Sequence, residues 1–295
     1  MPKAKVNNIE LEYDTFGDPS SRPLLLIMGL GAQMIGWDEE FCKKLLEQDF
    51  FVIRFDNRDV GLSTKFEEAG VPNLQKLIVQ REKGESISVP YKIEDMADDA
   101  VGLLTALNID KAHICGASMG GMIAQVIAYK HPSRVLSLTS IMSSTGNPDL
   151  PPPKPEAMQV LLTPPPQGRE AIIEATVKNR RIIHGSGLPF DEERARKLAI
   201  AAYDRSYYRE GFSRQLAAIW GSGNRKEALK TISSPALVIH GDIDPLVPVE
   251  GGKDTAEAIP GAELLLIEGM GHSLPVQVWP KVINAITENA VKAYK

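Results

Sequence analysis

The sequence predicts an α/β protein: a mainly parallel sheet covered by helices on both faces, interrupted by one all-helical insert. Three observations carry that prediction. Leu24 to Met28, a short continuous apolar run, and Phe50 to Phe55, apolar but for Arg54, have strand length without the alternation of a half-exposed strand, as expected for strands buried on both faces. Helical patterns separate them, and a strand–helix–strand rhythm implies right-handed crossovers between parallel neighbours. The rhythm stops after Ile141 and resumes at Ala236.

Taken in order, Val6 to Phe16 has partial period-two patterning and predicts strands or a hairpin. Leu24 to Met28 is a strand, followed by a helix from about Trp37 to Leu46. Phe50 to Phe55 is the next strand, ended by the polar loop Asp56 to Ser63. Leu74 to Gln80 reads as one or two helical turns. Ile93 to Leu107 carries apolar Met96, Ala100, Leu103, Leu104 and Leu107 at helical spacing, with Asp95, Asp98 and Asp99 toward the N-terminal end, where the helix dipole favours carboxylates. Ala112 to Cys115 is a short strand, Met119 to Tyr129 a helix of small residues, and Val135 to Ile141 another strand.

Composition then changes. Residues 146 to 166 hold eight of the 21 prolines. Proline removes amide donors and fixes φ, so this stretch cannot continue the sheet. Helical patterns return at Glu170 to Arg181, Asp191 to Ala202 and Gly211 to Ile219. The alternation resumes with a strand at Ala236 to His240, a helix near Gly252 to Ala258, a strand at Glu263 to Ile267 and a last helix from about Val276. The expected division is a core of residues 1–145 and 231–295 and a helical insert of residues 146–230.

The chain has 295 residues, a 43 % hydrophobic and 24 % charged composition, and a formal net charge of −5. These values suit a folded globular protein and exclude disorder, collagen and coiled coil as whole-chain readings. A mildly acidic chain has no general electrostatic drive toward nucleic acid or anionic membrane, so neither is expected as a partner. The two cysteines, Cys42 and Cys115, make no framework or metal cluster and fit a reducing compartment. The N-terminal residues meet no apolar stretch, so no signal peptide is expected and a cytoplasmic location is.

The strongest chemical signal is Gly116-Ala117-Ser118-Met119-Gly120, placed between a strand and a helix. A serine on such a turn has a strained backbone, small neighbours relieve the clash, and the helix N-terminus points at its hydroxyl. A glycine-rich tight turn is the ordinary alternative. A serine nucleophile needs a base. Of five histidines, His113 lies inside a strand, His131 ends a helix, His184 lies in the insert and His240 ends a strand. His272, in Gly269-Met270-Gly271-His272-Ser273, sits on a glycine-flanked loop after the last strand and is the expected base. The base needs an acid to hold its tautomer. Asp242 and Asp244, in the segment His240 to Pro248, both qualify, and one of them is expected to be an ordinary turn residue. Oxyanion donors are expected from the amide of Met119 and from the loop Gly29-Leu30-Gly31-Ala32, with Leu30 as the second donor and Gly29 or Gly31 as alternatives.

Together with Leu24 to Gly31 and Asp56-Asn-Arg-Asp-Val-Gly-Leu-Ser63, these motifs resemble the α/β-hydrolase-fold serine hydrolases across nearly the whole chain. The Met28-Gly29 turn and the Asp56 to Ser63 loop most resemble the aclacinomycin methylesterase-like group of esterases. The resemblance implies Ser118 as nucleophile and His272 as base. It favours Asp244 as acid, because Asp244 fills the family's Gly-x-x-Asp position with Val-Pro shortly after. It also implies an α/β-hydrolase fold with a helical cap between the sixth and seventh strands. Two positions depart from the pattern: Met28 stands where the family has histidine, and Asp59 where it has glycine. Asp56, Arg58 and Ser63 read as structural.

The expected activity is hydrolysis of small to medium carboxylic esters through an acyl-enzyme, with a small-molecule ester as partner and no metal or organic cofactor. Ser118 excludes the halide- and epoxide-opening chemistries of the fold, which use a carboxylate at that position. Carbon–carbon bond hydrolysis, lactone hydrolysis and perhydrolysis use the same triad, and a ligand-binding receptor on a hydrolase fold is the non-enzymatic alternative. Met158, Phe190, Tyr203, Tyr207, Tyr208, Phe212 and Trp220 are candidates for a substrate pocket, although most are expected to pack within the cap or against the core. Arg180, Arg181, Arg194, Arg196 and Arg205 make a charged cap, which ordinarily means a solvated face. Cys115 is expected to be a small buried residue.

Overall fold

The computed structural model describes residues 2–294, without the side chains of residues 81 and 82. The chain opens with β1 (Lys3–Val6) and β2 (Ile9–Phe16), an antiparallel hairpin. Its turn residues Asn7 and Asn8 have φ of +44° and +67°, the geometry that matches strand twist and that asparagine tolerates. Then come β3 (Arg22–Ile27), α1 (Glu39–Leu46) and β4 (Phe50–Phe55). After these follow α2 (Leu74–Glu82), α3 (Ile93–Ala106), β5 (Ala112–Ala117), α4 (Met119–Lys130) and β6 (Val135–Ile141). The cap contains α5 (Pro155–Leu162), α6 (Arg169–His184), α7 (Glu192–Arg205), α8 (Arg209–Ser222) and the single turn α9 (Lys226–Leu229). The core finishes with β7 (Ala236–Gly241), α10 (Val249–Ala258), β8 (Glu263–Ile267) and α11 (Trp279–Val291).

Among the described residues the strands form one eight-stranded sheet in the order β1-β2-β4-β3-β5-β6-β7-β8. β2 pairs antiparallel with β4, and every pairing from β4 to β8 is parallel. The central strands are buried throughout, which explains their largely apolar make-up, broken only by the hydrogen-bonded Arg54, His113 and His240. Alternate residues serve opposite faces: Leu25, Ile27, Ile53 and Phe55 join α3 and α4, while Leu24, Leu26, Phe50 and Val52 join α1 and α11.

The cap lies between the sixth and seventh strands, as the sequence resemblance implies. Two of its helices escape the sequence reading. Pro155 opens α5 at the first helical position, where a missing amide costs nothing, so the proline-rich stretch hides a helix start. α9 is too short for a periodic signal. α6 and α7 share a small core of their own around Ile173, Val177 and Ala199. Among the described residues no helix is long and apolar enough to cross a membrane.

Candidate active site

Ser118 sits between the end of β5 and the start of α4, at φ +56° and ψ −120°. That is a costly conformation for a residue with a side chain. The flanking glycines make it possible. A Cβ on Gly116 would lie 1.9 Å from the Gly120 carbonyl oxygen, and one on Gly120 would lie 2.1 Å from that of Ile27. The turn therefore requires glycine at both positions, for steric reasons alone.

The loop after β8 carries His272 to the same edge of the sheet. Its amide donates to the Ile183 carbonyl at 2.8 Å, so the C-terminal turn of α6 helps to fix the loop. The Ser118 hydroxyl lies 2.9 Å from His272 Nε2, and His272 Nδ1 lies 2.7 Å from Asp244 Oδ2. Asp244 Oδ1 accepts from the amides of Leu246 and Val247, both at 2.8 Å. These bonds fix the carboxylate's orientation and keep it aimed at the imidazole. With Nδ1–H donated to Asp244, Nε2 is the acceptor facing the serine. Asp242 does something else: its Oδ1 accepts from the Gly269 amide at 2.7 Å, tying together the loops that bear Asp244 and His272.

The four other histidines are engaged elsewhere. His113 bonds Ser137 and Tyr294, His131 bonds Asp98, and His184 bonds Ser273 and the Leu188 carbonyl. His240 donates from Nε2 to the Val247 carbonyl at 2.8 Å and packs beside Asp244. Cys115 is buried, and that burial pushes its thiol well above the usual range, which leaves it unreactive.

The loop after β3 brings Gly29 against the nucleophile turn: a Cβ there would lie 3.1 Å from both the Ala117 carbonyl oxygen and Ser118 Cβ. Asn57 donates to the Met28 carbonyl at 3.0 Å. The Gly31 amide is bound to Gln215 Oε1 of α8 at 2.8 Å, so it is spent on the cap and unavailable to an oxyanion. Met119 opens α4, where the amide has no partner one turn back within the helix. Gln215 was invisible to sequence reasoning because nothing local marks a helix glutamine that reaches a distant loop.

The Asp56 to Ser63 loop binds core to cap. Asp56 accepts from the Met34 and Leu62 amides and from Arg205 of α7. Asp59 has φ +69°, the conformation for which glycine is the usual choice, and its carboxylate accepts from Arg214 Nε and Nη2, at 2.8 and 2.9 Å, and from the Tyr91 hydroxyl at 2.7 Å. Arg58 pairs with Asp99 at 2.6 Å. Between core and cap lies a cavity of about 1570 Å³ that reaches Ser118 and His272, and all seven apolar and aromatic cap residues singled out from the sequence stand on its wall.

This geometry can activate a hydroxyl, and the comparisons agree on the scaffold. Residues 22–277 match the family described as the alpha/beta hydrolase fold. The chain belongs to that family. It is 30 % identical to rhodomycin D methylesterase DnrP of Streptomyces peucetius, over 97 % of each chain. It is also 30 % identical to rhodomycin D methylesterase DauP of Streptomyces sp. strain C5, over 95 % of this chain and 94 % of the relative. Among solved structures, a meta-cleavage product hydrolase from Pseudomonas fluorescens IP01 shares the fold with a TM-score of 0.75 at 21 % identity, covering 99 % of this chain and 98 % of that one. The protein is an enzyme of the hydrolase class.

Proposed function

We propose that the protein hydrolyses carboxylic esters through Ser118, His272 and Asp244. The observation that supports this reading is the unbroken hydrogen-bonded chain from Ser118 Oγ through His272 to Asp244, at 2.9 and 2.7 Å. His272 Nε2 takes the Ser118 proton as Oγ bonds to the ester carbonyl carbon. The carbonyl π electrons move onto oxygen, and the amides of Leu30 and Met119 receive the oxyanion. As the intermediate collapses, the carbon–alkoxy bond breaks and His272 passes its proton to the leaving alcohol. Water, deprotonated by His272, then attacks the acyl-enzyme. The second collapse returns the proton to Ser118 and releases the acid. Asp244 holds the imidazole tautomer and stabilises the imidazolium formed twice in the cycle.

In this reading the core, residues 1–145 and 231–295, supplies the chemistry and the cap, residues 146–230, closes the cavity. A cavity of about 1570 Å³ exceeds the range of roughly 300–1,000 Å³ usual for drug-sized ligands. It has room for an ester with a bulky acid part, in keeping with relatives named as methylesterases of rhodomycin D. The two buried free thiols, Cys42 and Cys115, support a cytoplasmic location.

The test is initial-rate hydrolysis of p-nitrophenyl esters from acetate to decanoate, and of bulky methyl esters, by wild type beside Ser118→Ala. Multiple turnover that is abolished in the variant is expected. No turnover of any ester by folded wild type would overturn the reading and move attention to carbon–carbon bond hydrolysis.

A further inference from the structure

The five cap arginines singled out from the sequence are not equivalent. Arg181 is paired with Glu192, Arg196 with Glu174, and Arg194 with Asp38 at 2.5 Å. Arg205 is paired with Asp56 at 2.7 Å. Two of these pairs tie α6 to α7, and the other two tie the cap to the core. Arg180 lines the cavity and, among the described residues, has no carboxylate within ion-pair distance, no hydrogen bond and no aromatic ring beneath it. The other arginines on the cavity wall each have a partner, which for Arg209 is an aromatic ring rather than a hydrogen-bond acceptor. Arg225 donates to oxygens of Gln125, Gly223 and Ser144, and Arg209 lies 4.0 Å over the Phe212 ring. Three carboxylates share the wall: Asp38 is spent on Arg194, Asp191 caps α7 through the Arg194 amide, and Glu85, exposed in the loop after α2, makes no ion pair with Arg180.

Arg180 is half-buried on a mostly apolar wall, and no protein partner offsets the part of its hydration that it has lost. Burial pushes Arg180 down to about 10, so it still carries its charge at neutral pH. Its place along α6 decides what it faces. Thr176, Arg180 and Ile183 fall on one stripe of the helix and all line the cavity. Ile183, one turn further on, is the residue whose carbonyl holds the His272 amide. Arg180 therefore stands roughly 5 Å along the helix axis from the point where α6 touches the catalytic loop.

We propose that Arg180 is a specificity-determining residue that binds a carboxylate carried by the substrate, so that the preferred ester is an anion. This rests on the ester-hydrolase reading of the same site. A planar, bidentate donor suits a carboxylate better than any neutral group, and the substrate would supply the counter-ion that the protein lacks.

Two series test it. Monomethyl esters from succinate to suberate place the carboxylate on the acyl side, and O-acetyl hydroxyalkanoates place it on the alcohol side. Each is compared with the neutral ester of equal length. Wild type is expected to prefer the anion in one series. Arg180→Gln is expected to lower the ratio of kcat/KM, anion over neutral, by roughly ten- to hundredfold, mainly through KM. Arg180→Lys is expected to recover part of that ratio. A purely structural arginine would lower both rates and leave the ratio intact, which would overturn the proposal. So would Ser118-dependent turnover of neutral esters with no preference for the anion in either series, a result that leaves the ester reading standing. Calorimetry needs no turnover: monomethyl adipate is expected to bind Ser118→Ala at least tenfold more tightly than Ser118→Ala/Arg180→Gln. Equal affinity in those two proteins would overturn the proposal whatever the enzyme hydrolyses.

Discussion

The catalytic edge of the sheet and the cap above it are held in place by different means. At the edge, backbone does the work. Gly116 and Gly120 let strand and helix close to a separation that no side chain could share, and the strained φ of Ser118 follows from that closure. The cap is fastened by long side chains instead: Arg214 to Asp59, Arg205 to Asp56, and Gln215 to the Gly31 amide. Backbone-built geometry tolerates almost no substitution. Side-chain fastenings can be exchanged pair by pair, and a pocket made by the cap can change shape while the chemistry below stays fixed. The division gives one reason why a shared triad and fold leave the substrate open.

The largest effect should come from breaking the edge. His272→Ala is expected to lower kcat by about 10⁶, close to the loss from Ser118→Ala, with the double variant no worse than either alone. Steady-state and burst kinetics would check this, and additive losses would show that the two do not act as a unit. Next comes the acid. Asp244→Asn is expected to cost about 10⁴ in kcat while leaving KM near its wild-type value. Asp242→Asn should stay within a few-fold of wild type, because its carboxylate only ties two loops together. A reversed order would reassign the acid to Asp242.

The two regions were also unequally legible in the sequence. Ser118 and His272 could be read because sterics force glycines around them and because each follows a short strand. The choice between Asp242 and Asp244 needed the family pattern, since both are ordinary turn residues by local chemistry. In the cap, the cues are weaker. Pro155 reads as part of a proline stretch that cannot continue the sheet, and it is a helix start. Arg180 looked like its neighbour Arg181, and only the folded helix turns one inward and pairs the other with Glu192. Asp59 looked like a departure from a glycine position, and it keeps the glycine-like φ while gaining an ion pair 155 residues away. Long-range pairing leaves no local trace.

That ion pair is the next place to test the comparison. Both Asp59 and Arg214 side chains are almost wholly buried. Asp59→Ala would strand the guanidinium, at a cost of about 3–5 kcal/mol in unfolding free energy. Adding Arg214→Leu should restore most of the loss, because an apolar pair avoids the desolvation penalty. Urea unfolding of the two single variants and the double variant gives the coupling directly. Near-additive losses would mean that the pair is not what fastens the cap.

A smaller effect is expected at the far end of the strand that carries Ser118. His113 lies in β5, buried against Ser137 and edge-on to Phe50. Burial, with a small contribution from Arg22, pushes its imidazole from 6.5 down to about 4. The unfolded chain therefore binds a proton near pH 6.5 that the folded chain refuses until about pH 4. The contribution to stability is full above pH 6.5 and is lost as the pH falls from there toward 4. The drop is about 3 kcal/mol at most. His113→Gln keeps a polar partner for Ser137 but cannot titrate, so its stability should fall less steeply across that window, although it starts from a lower value at pH 7. Denaturant unfolding at pH 7, 5.5 and 4.5 would measure both slopes. Parallel slopes would mean that acid sensitivity does not enter the core through His113. The ion pairs that fasten the cap would then be the next groups to examine.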